Sequence, residues 1–160
     1  MEIKVYNFEK NSDIAYIKMH ECQKIIDENL TINGGTLRHG DLFFQEHDWY
    51  YLIVAYIDNE PIGLSLLRKS HEDKHNIGMN EYYYLSLIAV LPAVQKQGVG
   101  TELLNTTFNL PLNAPIVASC LKNNIISKHL LSKNMFNYDD TLSYHRFIYN
   151  KIKQNQNQKK

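Results

Sequence analysis

The chain carries only two cysteines, Cys22 and Cys120, far apart and neither in a Cys-x-x-Cys pair. That leaves no material for a disulfide framework, and the expectation is two reduced, structural thiols in a cytoplasmic protein. No run of about 18 apolar residues occurs, which excludes a membrane-spanning helix. The opening MEIKVYNFEK has no apolar core of signal-peptide length, so an unsecreted protein is expected and the sequon Asn105-Thr106-Thr107 reads as a piece of helix. Net charge is absent too: 17 Lys and Arg balance 17 Asp and Glu. No long-range field draws nucleic acid or an anionic membrane surface, and any anion site must be local.

What is present is enough apolar matter for one core. With 44% hydrophobic residues in 160, the chain is expected to form a single domain over 1–150. The polar segment 151–160 lacks core-forming residues and reads as a disordered tail. Ile3 to Phe8 alternates as a strand does. After the cap signal Asn11-Ser12, residues Ala15, Met19, Cys22 and Ile26 recur along one helical face, predicting a helix that ends near Asn29. Thr31 to Asp48 reads as a loop with one or two helical turns, able to close over a ligand. Trp49 to Ile57 and IGLSLLR, separated by Asp58-Asn59-Glu60-Pro61, predict a hairpin, and YYYLSLIAV ending at Val90 a third antiparallel strand. Beyond it come a helix from Val99 limited by Pro111, a strand from Ala114 to Cys120, a helix from Asn124 to Lys133 and a strand from Thr141 to Tyr149, with Tyr138 in the last connection.

The turn between Val90 and Val99 carries the chemistry. A strand that runs through a glycine-bearing turn into a helix presents unpaired N–H groups at the positive end of the helix dipole. Gly98 and Gly100 have no Cβ to keep a phosphate from the backbone, Gln95 and Lys96 offer donors, and no carboxylate occurs until Glu102.

The segment Val90-Leu91-Pro92-Ala93-Val94-Gln95-Lys96-Gln97-Gly98-Val99-Gly100 resembles the acetyl-coenzyme A loop of the GNAT superfamily of N-acetyltransferases, V-x-P-x-x-(Q/R)-x-x-G-x-(G/A). Gln95 stands where arginine is more frequent. Downstream, Asn124, Ser127, Leu130, Lys133 and Phe136 are similar to the family's N-x-x-(A/S)-x-x-L-x-x-K-x-G-F helix, with Met135 in place of the glycine. The strand order resembles the family's from Ile3 to Tyr149; only these two segments match residue by residue. The resemblance implies an α+β, three-layer fold whose mixed, mostly antiparallel sheet is splayed at the cofactor site and flanked by helices. It implies acetyl-CoA as co-substrate without a metal, and direct attack of a primary amine of a small molecule or amino-acid or peptide derivative on the thioester. Pantetheine amides would pair with Ile88, Ala89 and Val90, with an N–H near Ile88 stabilising the oxyanion. The pyrophosphate would rest on Gln95, Lys96, Gln97, Gly98, Val99, Gly100 and Thr101, and Asn124 would lie near the arm. Many members form dimers, so a homodimer is a possible assembly.

The family's tyrosine, which protonates the departing thiolate, falls at Leu131 here. Tyr138, Tyr144 or water remain as proton donors. On the base side, alternation puts Tyr82, Tyr84, Ser86 and Ile88 on one strand face, where Tyr84 and Ser86 would order a water that takes the ammonium proton, with Glu81 as its sink. The alternative for the adjacent tyrosines is packing on both sheet faces. Without the family's tyrosine, an acetyl-CoA-binding sensor with no turnover is a second reading. Thr31 to Asp48 and Lys69 to Glu81 border the acceptor and hold no acidic cluster for a polyamine; Phe43, Phe44, Trp49 and the tyrosines suit a small, partly apolar amine or an amino-acid derivative.

A rival motif is His71-Glu72-Asp73-Lys74-His75, which fits the H-E-x-x-H pattern of zinc peptidases. That chemistry needs a partly buried helix and a third ligand, whereas this pentapeptide is highly charged and sits between two strands; it reads as a solvated loop. His20 and His129 read as surface histidines, Cys120 as a buried thiol. Metal analysis separates the readings: we expect no stoichiometric zinc, and zinc lost together with activity on chelation would establish the peptidase instead.

Overall fold

The structure, a computed structural model, describes residues 1–33, 49–70, 78–121, 125–134, 138–139 and 144–149. In chain order the elements are β1 (Glu2–Asn7), α1 (Ser12–Glu21), α2 (Gln23–Asn33), β2 (Trp49–Ile57), β3 (Glu60–Ser70), β4 (Tyr82–Val90), α3 (Val99–Phe108), β5 (Ile116–Leu121), α4 (Ile125–Asn134), β6 (Tyr138–Asp139) and β7 (Tyr144–Tyr149), with a 3-10 turn over Pro92–Val94. The strands form one sheet in the order β1-β2-β3-β4-β5-β7-β6. Among the described residues only β4 and β5 run parallel. This is the three-layer, mostly antiparallel arrangement expected.

Two apolar layers hold it. On one face Ala15, Met19, Cys22, Ile25 and Ile26 of the first helices pack on Leu52, Val54, Leu64, Leu66, Leu87 and Ala89. On the other, Val99, Leu103, Leu104 and Phe108 of α3 and Leu131 of α4 pack on Ile53, Leu67, Tyr83, Leu85, Ile116 and Phe147. β2 and the middle of β3 are buried on both faces, which explains the apolar run of β2 and the mainly apolar stretch Ile62–Leu67 of β3. Their hairpin closes through Asp58 (φ 50°) and Asn59 (φ 66°), the left-handed pair a two-residue type I′ turn requires.

Three expectations change. The first helix is two: the buried face Ala15, Met19, Cys22, Ile26 is continuous, but the chain turns at Cys22 between α1 and α2. Asn11 makes no side-chain cap; instead Asn7 Oδ1 accepts from the Glu9 and Lys10 amides at 2.8 and 3.2 Å. Tyr138 lies in a strand, β6, paired with Phe147 of β7, rather than in a connection. The N-terminal part of the last strand, 141–143, the loop over 34–48, the H-E-x-x-H pentapeptide and the tail fall outside the described residues.

Cys22 is fully buried, and burial pushes its thiol up to about 12, so it stays protonated and behaves as a small apolar side chain. A polar pair is buried between β3 and α3. Thr107 Oγ1 donates to Leu103 O at 2.8 Å, which makes Ser65 the donor in the 3.1 Å contact between their hydroxyls. Both residues are completely enclosed. Thr107→Val should therefore cost about 1–3 kcal/mol in urea unfolding by leaving the Ser65 hydroxyl without its acceptor. Adding Ser65→Ala should restore much of that loss; an equal or larger loss in the double variant would show that the pair is incidental.

Candidate functional site

The sheet forks at one residue. β4 and β5 pair at Tyr83↔Ile116, Tyr84↔Val117 and Leu85↔Ala118, and no further. Beyond Ala118, β5 stays with β7 through Leu121↔Tyr144, while β4 stays with β3 through Val90↔Gly63. Ser86, the first β4 residue past the fork, also has no partner on β3: Leu85 pairs with Leu67 and Leu87 with Leu66, so Ser86 is the extra residue of a β-bulge.

The bulge reverses the alternation predicted for this strand. Tyr83 and Leu85 pack on the α3 face; after Ser86 it is Ile88 and Val90 that do so, while Leu87 and Ala89 turn to the α1/α2 face. Ile88 thus does not share a face with Tyr82 and Tyr84, because one inserted residue shifts the two-residue period. Leu91 N–H donates to Ile62 O at 2.8 Å. By antiparallel alternation Ala89 and Leu87 also bond toward β3, and the peptide groups of Ile88 and Val90 point into the fork. The Ser86 Oγ is buried and has no hydrogen-bond partner among the described residues.

At the end of β4 the chain makes the 3-10 turn, then enters α3 through Lys96 (φ 65°) and Gly98 (φ 84°). Gly98 is the left-handed N-cap, and a Cβ placed on it would meet no atom within 4 Å: the space above it is open. The first intrahelical bond is Glu102 N–H to Gly98 O, so the N–H groups of Val99, Gly100 and Thr101 have no acceptor within the helix. Gly100 serves a different end. A Cβ there would come within 3.1 Å of Leu130 Cδ2, so its smallness lets α4 pack on the start of α3. Gln95 turns back: its Nε2 donates to Val90 O at 3.0 Å and ties the turn to the strand before it.

The tyrosines pack on both faces. Tyr82 and Tyr83 are buried; Tyr83 donates to Asn113 Oδ1 at 3.1 Å, and burial pushes its phenol up to about 12. Tyr84 is half-buried beneath a cation. Cross-strand register aligns Trp49, Arg68 and Tyr84, and the Arg68 guanidinium lies over both rings, 6.0 Å from that of Trp49 and 5.7 Å from that of Tyr84. Lys69, facing the other way, lies 5.5 Å from the Tyr50 ring and 5.9 Å from that of Tyr83. Sequence alone did not single out Arg68, since its neighbours come from cross-strand register, Trp49 at the far end of a hairpin and Tyr84 beyond a long connection.

Tyr84, Ser86 and the Ile88–Val90 segment are thus together at the fork. Tyr138 is not with them: it pairs with Phe147, which pairs with Ala118, which pairs with Leu85, three strand spacings or about 14 Å away. Leu131, at the family's tyrosine position, is 2% exposed within the α3-side core. His20 and His129 are exposed, as expected. Asn124, the side chains of Cys120 and Tyr138 and the H-E-x-x-H segment are outside what is described; no group of three metal-ligating side chains occurs among the described residues.

The model of the Acetyltransferase (GNAT) family matches residues 19–135. No curated protein sequence matches the chain. Among solved structures, the chain is similar to the PaiA N-acetyltransferase from Thermoplasma acidophilum in complex with coenzyme A, at 14% identity and TM-score 0.64, covering 93% of this chain and 99% of that one. It is similar to the aminoglycoside N-acetyltransferase AAC(6')-Iy in complex with CoA, at 15% identity and TM-score 0.60, covering 88% and 95%. A third is the aminoglycoside acetyltransferase meta-AAC0020, from an uncultured soil metagenomic sample, in complex with sisomicin, at 12% identity and TM-score 0.62, covering 88% and 91%. At such identities the likeness is one of fold.

Gly98→Ala forces a Cβ onto a left-handed residue and should cost about 1–2 kcal/mol in urea unfolding. In calorimetry the same change should weaken coenzyme A binding; unaltered affinity and stability would remove the turn from the site.

Proposed function

The chain belongs to the GNAT acetyltransferase family, and on that premise we propose that it transfers the acetyl group of acetyl-CoA to a primary amine by direct attack within a ternary complex. The observation that carries this reading is the coincidence, at Ser86, of the end of β4–β5 pairing with a bulge, leaving main-chain groups turned into a gap beside an open helix N-terminus.

The residues present fit the co-substrate. The N–H groups of Val99, Gly100 and Thr101, at the positive end of α3 and with Gly98 leaving room above them, would hold the diphosphate. Lys96 and Gln97 border that turn, and Gln95 acts through its bond to Val90 O by fixing the turn against the strand. Ile88 and Val90 would pair with the amides of the arm, Ala89 anchoring the segment to the opposite layer. Acetyl-CoA supplies an activated acyl group; the chain supplies position. The Ile88 N–H, fixed by the bulge, stands ready for the carbonyl oxygen as negative charge gathers there, a preorganised donor that needs no reorganisation. Tyr84 and Ser86 order the water that takes the ammonium proton. With Leu131 in place of a tyrosine and Tyr138 about 14 Å across the sheet, water protonates the leaving sulfur.

The buried Leu131 also favours a second reading, a domain that binds acetyl-CoA without turnover. Thiol release measured with a panel of primary amines separates them. Amine-dependent release is expected; tight cofactor binding with no release under any amine would establish the sensor. Within the enzyme reading, Ser86→Ala should lower kcat roughly tenfold, the worth of about one hydrogen bond. Tyr138→Phe should retain most of its turnover, and a collapse of kcat there would make Tyr138 the acid.

A further inference from the structure

The cofactor turn and α3 lie on one side of the sheet, so an acceptor meeting an acyl group in the fork approaches from the other, the α1/α2 side. That side carries Arg68. Its register partner is Tyr84, two residues before Ser86, which puts the Arg68 backbone about 8 Å from the residue at the fork. The side chain is half-buried, and its guanidinium lies over the rings of Trp49 and Tyr84. Among the described residues it has no hydrogen bond and no ion pair.

A guanidinium between two ring faces is attracted to them through its charge. Its five N–H donors lie in its own plane and point outward from its rim, and contact with the rings leaves them unsatisfied. A fixed, partly desolvated fork of this kind is matched by one chemistry in particular, the planar, bidentate carboxylate. Lysine would not be oriented in the same way, and a surface arginine with a carboxylate neighbour would already be neutralised. Arg68 sits between two rings and, among the described residues, has no carboxylate partner.

Resting on the acetyl-transfer reading above, we propose that Arg68 recognises a carboxylate on the acceptor, and that the substrates are amino carboxylates, compounds bearing the primary amine and a carboxylate a few bonds apart. The carboxylate docks on the guanidinium rim while the amine reaches toward Ser86. The same fixed positive charge disfavours polycationic amines, whose every nitrogen adds repulsion on this face.

The test uses matched acceptors: a set of L-α-amino acids, each compared with its amide and with its decarboxylated amine, in amine-dependent thiol release. The acids should exceed their neutral counterparts in kcat/KM by about ten- to a hundredfold, the worth of one charge-assisted pair, chiefly through KM. Arg68→Gln should collapse that ratio toward one, and Arg68→Lys should restore only part of it. A ratio near one in the unmodified protein overturns the proposal, as does preferred use of kanamycin or spermidine. Phosphoethanolamine preferred over every amino acid would overturn it in favour of a phosphate. Thermal protection by N-acetyl amino acids against their amides reads recognition without turnover. Acid-selective protection lost in Arg68→Gln, with no thiol release, upholds carboxylate recognition at Arg68 while refuting acetyl transfer; release from acids and amides at equal rates does the reverse. No protection by any acid together with no release overturns both.

Discussion

Among the described residues, β4 past Leu85 has a neighbouring strand on one side only, and the rest of the site follows from that asymmetry. A strand in the middle of a sheet normally spends both rows of its peptide groups on its neighbours. Here β5 leaves with β7, β3 keeps hold of β4, and one row is turned into a gap that is interior rather than peripheral. An exposed sheet edge invites pairing with other chains. An edge opened inside a sheet, with helical layers on both faces, leaves room only for something slender, and on the acetyl-transfer reading that is the extended, amide-bearing arm.

The bulge and the helix start serve that gap from its two ends. At Ser86 the inserted residue changes which side chains face which layer, and it does so without loss of burial, since Leu87 and Ala89 find the α1/α2 core and Ile88 and Val90 the α3 core. At the far end Gln95 bonds to Val90 O, so strand and turn move as one body. Gly63 contributes from beneath: a Cβ there would come within 3.1 to 3.2 Å of Leu103, Ala89 O and Val99, so α3 lies directly against β3 and its N-terminus cannot drift from the fork. The helix is held by packing, so the N–H groups at its start have a fixed position.

Much of this was legible in the chain. The apolar runs Trp49–Ile57 and Tyr82–Val90 bound their strands as predicted, and the spacing Val99, Leu103, Leu104, Phe108 bound its helix, because burial sets a period that sequence displays directly. The glycine-bearing turn was legible because its chemistry is local. What was hidden depends on neighbours. The Ser86 bulge is a mismatch between two strands and leaves no trace in either; the break at Cys22 keeps the apolar phase across two helices; Gly100 is small on account of Leu130, thirty residues on. Arg68 gains its meaning only when β2 and β4 bring Trp49 and Tyr84 alongside it.

On the acetyl-transfer reading, a gap between β4 and β5 that is reached from both faces of the sheet has two mouths. On the reading developed above, the thioester carrier enters by one and the amine by the other, with the bulge at Ser86 as the threshold between them. Neither guest has to depart for its counterpart to be exchanged, so the spent carrier and the acylated product leave by separate doors, and traffic at one is not queued behind traffic at the other.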